Sequence, residues 1–342
     1  MGIDPWGQGG RVNVSESKPV IDLHADLLSF LAGDASRDVT ANASRCSLSQ
    51  LRAGTVAVQV LPIYVPIQGA AGLSDGQRQV AAFESLLEHP SFRRLDVAEP
   101  TLEIEIVGAI ENASAFCLDS EPLADGLARI DAARSRMGRL LYTSLTWAYQ
   151  NRFGGGNGSS AGLSDDGRRL VDFLVERSIA IDFSHTSDAL AADLLAHLDQ
   201  TPEARLLASH SNLRSVTGAA RNLSDEVAAE LAARGGLIGL TFVRSFIGGE
   251  TFSHLAHHVD AAVRRGWGSS LALGADFFCP RDLPNPESRD KVFFFPDFEN
   301  ASCYPEVRRT LAPSVTEPQL DALMFGNAKR WLQAWLAGDR AA

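Results

Sequence analysis

Residues 20–28 read Val20-Ile21-Asp22-Leu23-His24-Ala25-Asp26-Leu27-Leu28, an apolar run that turns polar near its end. Alternate residues of an extended chain project to one side, so a strand here sets His24 and Asp26 on a common face. An imidazole beside a carboxylate at a strand end is half of a metal site. The pair gains meaning only if other strands bring ligands to equivalent places.

The chain offers further β-rich runs at 55–64, 104–111, 140–147, 179–185, 205–210, 236–243 and 271–277. Most are almost continuously apolar, as parallel strands buried on both faces are. Helix-like segments separate them, at 76–89, 122–137, 165–178, 187–198, 224–234 and 253–266, and Ser164, Ser187 and Ser224 stand where N-caps belong. Strand and crossover alternating to the end predict an α/β fold, a (β/α)8 TIM barrel of the metal-dependent hydrolase type. An open doubly wound sheet would need a nucleotide signature, and no GxGxxG follows a strand. The spacing also predicts a closing amphipathic helix over 316–336, with Leu320, Leu323, Met324, Ala328, Trp331 and Trp335 on one side. The Gly-rich stretch 154–162 is expected to be a mobile loop at the active site. No composition break divides the chain, so one catalytic domain is expected over 19–338, between an N-terminal tail, 1–18, and a short C-terminal tail, 339–342.

The 342 residues are 45% apolar and 21% charged, the balance of a water-soluble globular chain. A net charge of -11 argues against a nucleic-acid partner. No stretch approaches the length of a membrane span, and Met1–Ser17 lacks the basic-then-apolar layout of a signal peptide. Cys46, Cys117, Cys279 and Cys303 are far apart and form no CxxC pair, which predicts free thiols and a cytoplasmic location.

Barrel enzymes place their chemistry at the C-terminal ends of the strands. Read in order, those ends carry His24 and Asp26, then Glu111, His185, His210 and Asp276. Three imidazoles and three carboxylates suit zinc, with manganese, cobalt or iron as alternatives. The set exceeds the four ligands of one tetrahedral ion and suits two ions sharing a carboxylate and a water. No lysine lies between Lys18 and Lys291, so a bridging carboxylated lysine is excluded there, and Glu111 is the bridge if one exists. Arg221, beyond His210, has the planar fork to grip a substrate carboxylate, or is a surface residue before a helix. His254, His257 and His258 form HLAHH rather than HExxH, and no GxSxG elbow occurs.

Together these motifs resemble the membrane dipeptidase (renal dipeptidase) family. The likeness rests on Asp22-x-His24-x-Asp26, Glu111, Ser184-His185, Ser209-His210, Arg221-Asn222, Gly274-x-Asp276-Phe277, and Phe325-Gly326-Asn327-Ala328 with Arg330 in step. The resemblance implies two zinc ions per chain, one held by His24 and Asp26 and the other by His185 and His210, with Glu111 bridging. It implies attack by a metal-bridging hydroxide, Asp276 as proton carrier, Arg221 on the substrate carboxylate, and Asp22 and Asn222 as supports. A small dipeptide-like substrate, with a D-residue tolerated at its C-terminal side, and a homodimer follow from the same likeness. Trp147 stands where the family commonly has histidine, Phe278 where it often has a second aspartate, and Val243 at a tyrosine position. Trp147 and Phe278 suggest an apolar substrate pocket, and Arg244 a second anion contact. The alternatives are an N-acyl-amino-acid amidohydrolase with the same metals, and a catalytically weak metal-binding scaffold.

Overall fold

The computed structural model describes residues 18–66, 69–96 and 103–339. All but the last residue of the 1–18 tail, and residues 340–342, lie outside them. Among the described residues are nine strands: β1 Val20–Asp22, β2 Val56–Tyr64, β3 Phe92–Arg94, β4 Ile104–Glu111, β5 Leu140–Ser144, β6 Ala180–Asp182, β7 Leu206–Ala208, β8 Leu237–Leu240 and β9 Leu271–Leu273. Each predicted run holds one of them, and β3 is additional. All pairings are parallel, and β2–β4 and β1–β9 contacts close eight strands into a barrel. β3 lies outside that ring, pairing with Ile104–Ile106 of β4 ahead of Gly108, where β5 joins. Its alternation was too short to read: three residues after a helix end look like loop.

The barrel is filled by residues taken alternately along the strands: Ile21, Val58, Val60, Val107, Ala109, Leu207 and Ala272 form one buried cluster. Ala328, Trp331, Leu332, Trp335 and Leu336 belong to the same cluster, so the final helix, Asn327–Asp339, plugs the end of the barrel where the strands begin. Trp335 Nε1 donates to Ser178 O just before β6, and Asn327 Nδ2 to Leu271 O at the start of β9. The closing segment is not the single helix expected. Glu317–Asp321 passes through a wide π-turn at Ala322–Gly326 before Asn327–Asp339 begins. Leu323, Met324, Ala328 and Trp331 are buried within the turn and just after it.

The outer helices start as their caps dictate. Ser164, Ser187 and Ser224 each accept a hydrogen bond from the backbone three residues on. The helix expected at 76–89 runs from Ala70 to Glu88. With one end of the barrel plugged, the mouth above Glu111, Asp182 and Ala208 is where polar side chains gather.

Candidate metal centre

Asp22 ends β1 and bends the chain. Its Oδ1 accepts from the His24 N–H (3.1 Å) and the Ala275 N–H (3.0 Å), and its Oδ2 from the Tyr304 hydroxyl (2.5 Å). Strand alternation therefore stops at Leu23, which joins the barrel interior, and His24 and Asp26 reach the mouth through a bend rather than along a straight strand. Asp182 repeats the device on β6. Its Oδ1 accepts from the N–H groups of Ser184 (3.0 Å) and Ser209 (2.8 Å), and its Oδ2 from the hydroxyls of Ser144 and Ser209. Two buried aspartates thus tie the strand ends that carry the histidines.

Glu111 follows Val107 and Ala109 on the inward face of β4, and its two oxygens face different groups. Oε2 lies 3.1 Å from His24 Nε2. Oε1 lies 2.8 Å from His185 Nε2 and 3.6 Å from His210 Nε2. His24 Nε2 is 3.8 Å from Asp26 Oδ1 and 3.8 Å from Asp276 Oδ1, while the Nε2 atoms of His185 and His210 are 3.0 Å apart. All six residues converge, in overlapping groups with the spacing of metal ligands: His24, Asp26 and Glu111; Glu111, His185 and His210; His24, His210 and Asp276.

The rings are aimed by their other nitrogens. The Tyr142 hydroxyl donates to Leu23 O (3.1 Å), so its oxygen is left to accept from His24 Nδ1–H (2.8 Å). Ser209 Oγ donates to Asp182, so it accepts from His210 Nδ1–H (2.6 Å). His185 Nδ1 faces Asn157 Oδ1 at 3.4 Å. Each Nδ1 is engaged outward and each Nε2 points inward, the orientation in which imidazole binds metal. His24 Nε2 and Asp26 Oδ1 are buried without a hydrogen-bond partner among the described residues. Buried polar atoms are rarely left so, and a divalent cation between them satisfies both. The donor set therefore fits metal. His185 and Asp276 also take left-handed backbone, φ 68° and 64°, as do five other non-glycine residues among those described.

The electrostatics agree. Burial pushes the Asp26 carboxyl well up, with Glu111 adding to it, and burial lifts Asp276 to about 7 against the pull of His24. Burial works to lower His24, but Glu111, Asp276 and Asp26 outweigh it and raise the ring to about 9. Glu111 is held well below the carboxylate range in spite of burial, by His24, His185 and His210. Burial, then Arg221, takes His185 down to about 4. Asp26 and Asp276 thus hold their protons more tightly than exposed carboxyls do, while Glu111 stays ionised among the three imidazoles.

Arg221 is buried beside this cluster. Its terminal nitrogens donate to Ser211 Oγ (2.7 Å) and His210 O (2.9 Å), and its Nε is unpartnered among the described residues. Asn222 Nδ2 donates to Thr217 O and Phe246 O, fastening the loop that carries Arg221. Trp147 packs 6.1 Å from the His185 ring and edge-on to Tyr64 at 5.4 Å. The Gly-rich stretch beside it is built in: Asn157 N–H donates to His185 O, and a Cβ on Gly156 would lie 1.8 Å from Trp147 O. Arg244 is exposed, its guanidinium over the Phe295 ring at 5.1 Å. Val243 is buried at the start of the same short helix.

A solvent-connected cavity of about 320 Å³ opens beside Asp26. Phe278 lines it together with Tyr64, Gln79, Arg281 and Arg289, and Trp147 is not among its lining residues. Tyr64 went unnoticed in the sequence, although Val58, Val60 and Tyr64 share the inward parity of β2. Its hydroxyl is buried and unpartnered among the described residues, and Gln79 clamps its backbone N–H (2.9 Å) and C=O (2.6 Å). Tyr142 and Asp182 were missed too, because a tyrosine and an aspartate within apolar strands carry no local mark of what lies across the barrel.

The family model for membrane dipeptidase, peptidase family M19, matches residues 11–337. Dipeptidase verJ of Clonostachys rogersoniana is 27% identical over 289 residues, 76% of this chain and 72% of that protein. An uncharacterized dipeptidase of Schizosaccharomyces pombe is 24% identical over 84% of this chain and 71% of its own length. A metallopeptidase of Rhodobacter sphaeroides, solved with a phosphinate mimic of the dipeptide L-Ala-D-Ala, shares the fold with a TM-score of 0.77 at 19% identity, over 93% of this chain and 99% of that one. The chain belongs to the membrane dipeptidase family, M19, and is a metal-dependent hydrolase of peptide or amide bonds.

Proposed function

We propose that the protein is a binuclear zinc dipeptidase that cleaves dipeptides bearing a free C-terminal carboxylate. One observation carries this reading: the two oxygens of Glu111 face two separate donor groups, His24 on one side and His185 with His210 on the other. In it, His24 and Asp26 would hold one ion and His185 and His210 the other, with Glu111 able to serve both. Bound there, divalent cations supply an acidified water and a polarised carbonyl.

The chain's own groups do the rest. Arg221 binds the substrate carboxylate, its position set by Ser211 and His210 and its charge strengthened by burial. Asp276 takes the proton of the attacking water and delivers it to the leaving amine nitrogen. Cations beside it would draw its pKa down from about 7, so it starts ionised at neutral pH. Tyr64 donates its unpartnered hydroxyl to the substrate acyl oxygen, on the side of the site where Trp147 packs against it.

The Rhodobacter sphaeroides relative's L-Ala-D-Ala mimic supports tolerance of a D-residue at the C-terminal side. A homodimer rests on the family resemblance, and light scattering would test it. Cytoplasmic location agrees with four buried free thiols. The deciding experiment is a panel of L-L and L-D dipeptides and N-acyl amino acids given to protein whose zinc has been counted. About two zinc per chain with dipeptide turnover is expected. Cleavage of acyl amino acids alone would make it an amidohydrolase, and no bound metal would make it a scaffold.

A further inference from the structure

The cavity beside Asp26 continues the same site, and its charges are distributed unevenly. Asp75 is paired with Arg78, and Asp282 is held by both terminal nitrogens of Arg37, at 2.6 and 2.8 Å. Those two carboxylates are therefore already neutralised, and the third that lines the cavity, Asp26, belongs to the donor cluster with His24 and Glu111. Arg281 has no carboxylate partner among the described residues, and Arg289 spends only its Nε, on Leu283 O (3.2 Å). Past Cys279 a second groove shares Arg281 and Arg289 and adds Arg45 and Lys291, against the carboxylates of Asp290 and Glu299. This is a local surplus of positive charge on a chain of net charge -11. A cleft lined by one sign of charge concentrates ligands of the other.

The barrel says which part of a substrate enters. Around the closed ring, β2 stands four strands from β7 in either direction. Tyr64 ends β2, and Arg221 rides the loop after β7. A dipeptide whose carboxylate rests on Arg221 and whose amide lies over Glu111 therefore directs its amino-terminal residue toward Tyr64 and the cavity. We propose that this cavity receives the amino-terminal residue, and that Arg281 and Arg289 on its rim select an acidic side chain there. The inference rests on the dipeptidase reading and narrows it to substrates with an N-terminal glutamate or aspartate. Both arginines are exposed, so the preference is moderate and is weakened by salt.

The test compares kcat/KM for Glu-Ala, Gln-Ala and Lys-Ala with the zinc-loaded protein. Glu-Ala should exceed Gln-Ala by about tenfold at low ionic strength, the scale of a charge-assisted contact, and Lys-Ala should be poorest. The Glu/Gln ratio should shrink in 0.5 M salt and fall to about one in Arg281→Ala/Arg289→Ala. Arg281→Glu/Arg289→Glu should turn the order toward Lys-Ala. Turnover of Gln-Ala at or above Glu-Ala in the unaltered protein, or an unchanged ratio in the double alanine variant, would overturn the subsite while leaving the dipeptidase reading intact. No turnover of any of the three peptides, nor of Ala-Ala, would overturn both.

Discussion

Single groups in this protein have separable tasks. Asp276 sits 3.8 Å from His24 Nε2 at the edge of the donor cluster, so Asp276→Asn keeps the shape and removes the proton carrier. Its kcat should fall roughly 10²–10⁴-fold. Counted zinc should remain near that of the unaltered protein, and loss of the metal instead would make Asp276 chiefly a ligand. Tyr64→Phe deletes one donor and nothing from the packing of the ring against Trp147. We expect a drop in kcat of about 10² with the melting temperature unchanged, the scale seen when one oxyanion donor is removed. An unaltered kcat would take Tyr64 out of the chemistry. His258 lies outside the site and shows how buried imidazoles set acid stability. Its Nδ1 accepts from the Leu213 N–H (3.1 Å) and its Nε2–H donates to Ile247 O (2.9 Å), an arrangement only the neutral ring can make. Burial takes its pKa from 6.5 to about 4. The unfolded chain protonates this group first, so its contribution to stability is complete above pH 6.5 and is lost as pH falls toward 4. Denaturant titrations of His258→Phe should show a shallower loss across that window.

At the level of elements, the strand ends are held by contacts no single strand contains. β7, β8 and β9 approach so closely at the mouth that a Cβ on Gly274 would lie 1.8 Å from Ser209 O and 3.2 Å from His210 Cα. Gly274→Ala should therefore displace His210 while leaving every ligand in the sequence. Weakened zinc retention against a chelator, together with destabilisation of about 1–3 kcal/mol from overpacking, is the expected result. Full zinc affinity in that variant would show that the β7–β9 contact does not position the histidine. The Asp22 and Asp182 bends belong to this scale as well. Each aspartate fixes its own chain and its neighbour's, which is why the three histidines fall within 4 Å of Glu111 although they come from separate strands.

The whole molecule couples metal to folding and to pH. The plug formed by Asn327–Asp339 closes one end of the barrel, and the donor cluster with its crowded carboxylates occupies the other. Ions bound at the mouth should raise the melting temperature, and at a thousandfold excess over Kd each site adds about 4 kcal/mol. Without metal, His24 holds a proton up to about pH 9 and Asp276 up to about 7. Metal must displace these protons, so affinity falls as pH drops through that range and binding at pH 7 releases protons. Calorimetry in two buffers of different ionisation enthalpy measures the release, and its absence would mean the cluster was already deprotonated.

The barrel was legible in the chain because parallel strands buried on both faces must be apolar throughout, and eight such runs separated by capped helices admit few architectures. The six residues of the donor cluster were legible as a set, because each stands where an apolar run breaks off and five strand ends agree. Tyr64, Tyr142, Asp182 and the charge pattern around Arg281 and Arg289 were not. What they do depends on which strand closes against which, and on which carboxylates elsewhere already have partners. Periodicity along a chain reports the face a residue takes, but only closure of the sheet decides what stands opposite it. That closure places β2 across from β7, and with it the side of the site from which the amino-terminal residue of a substrate is held.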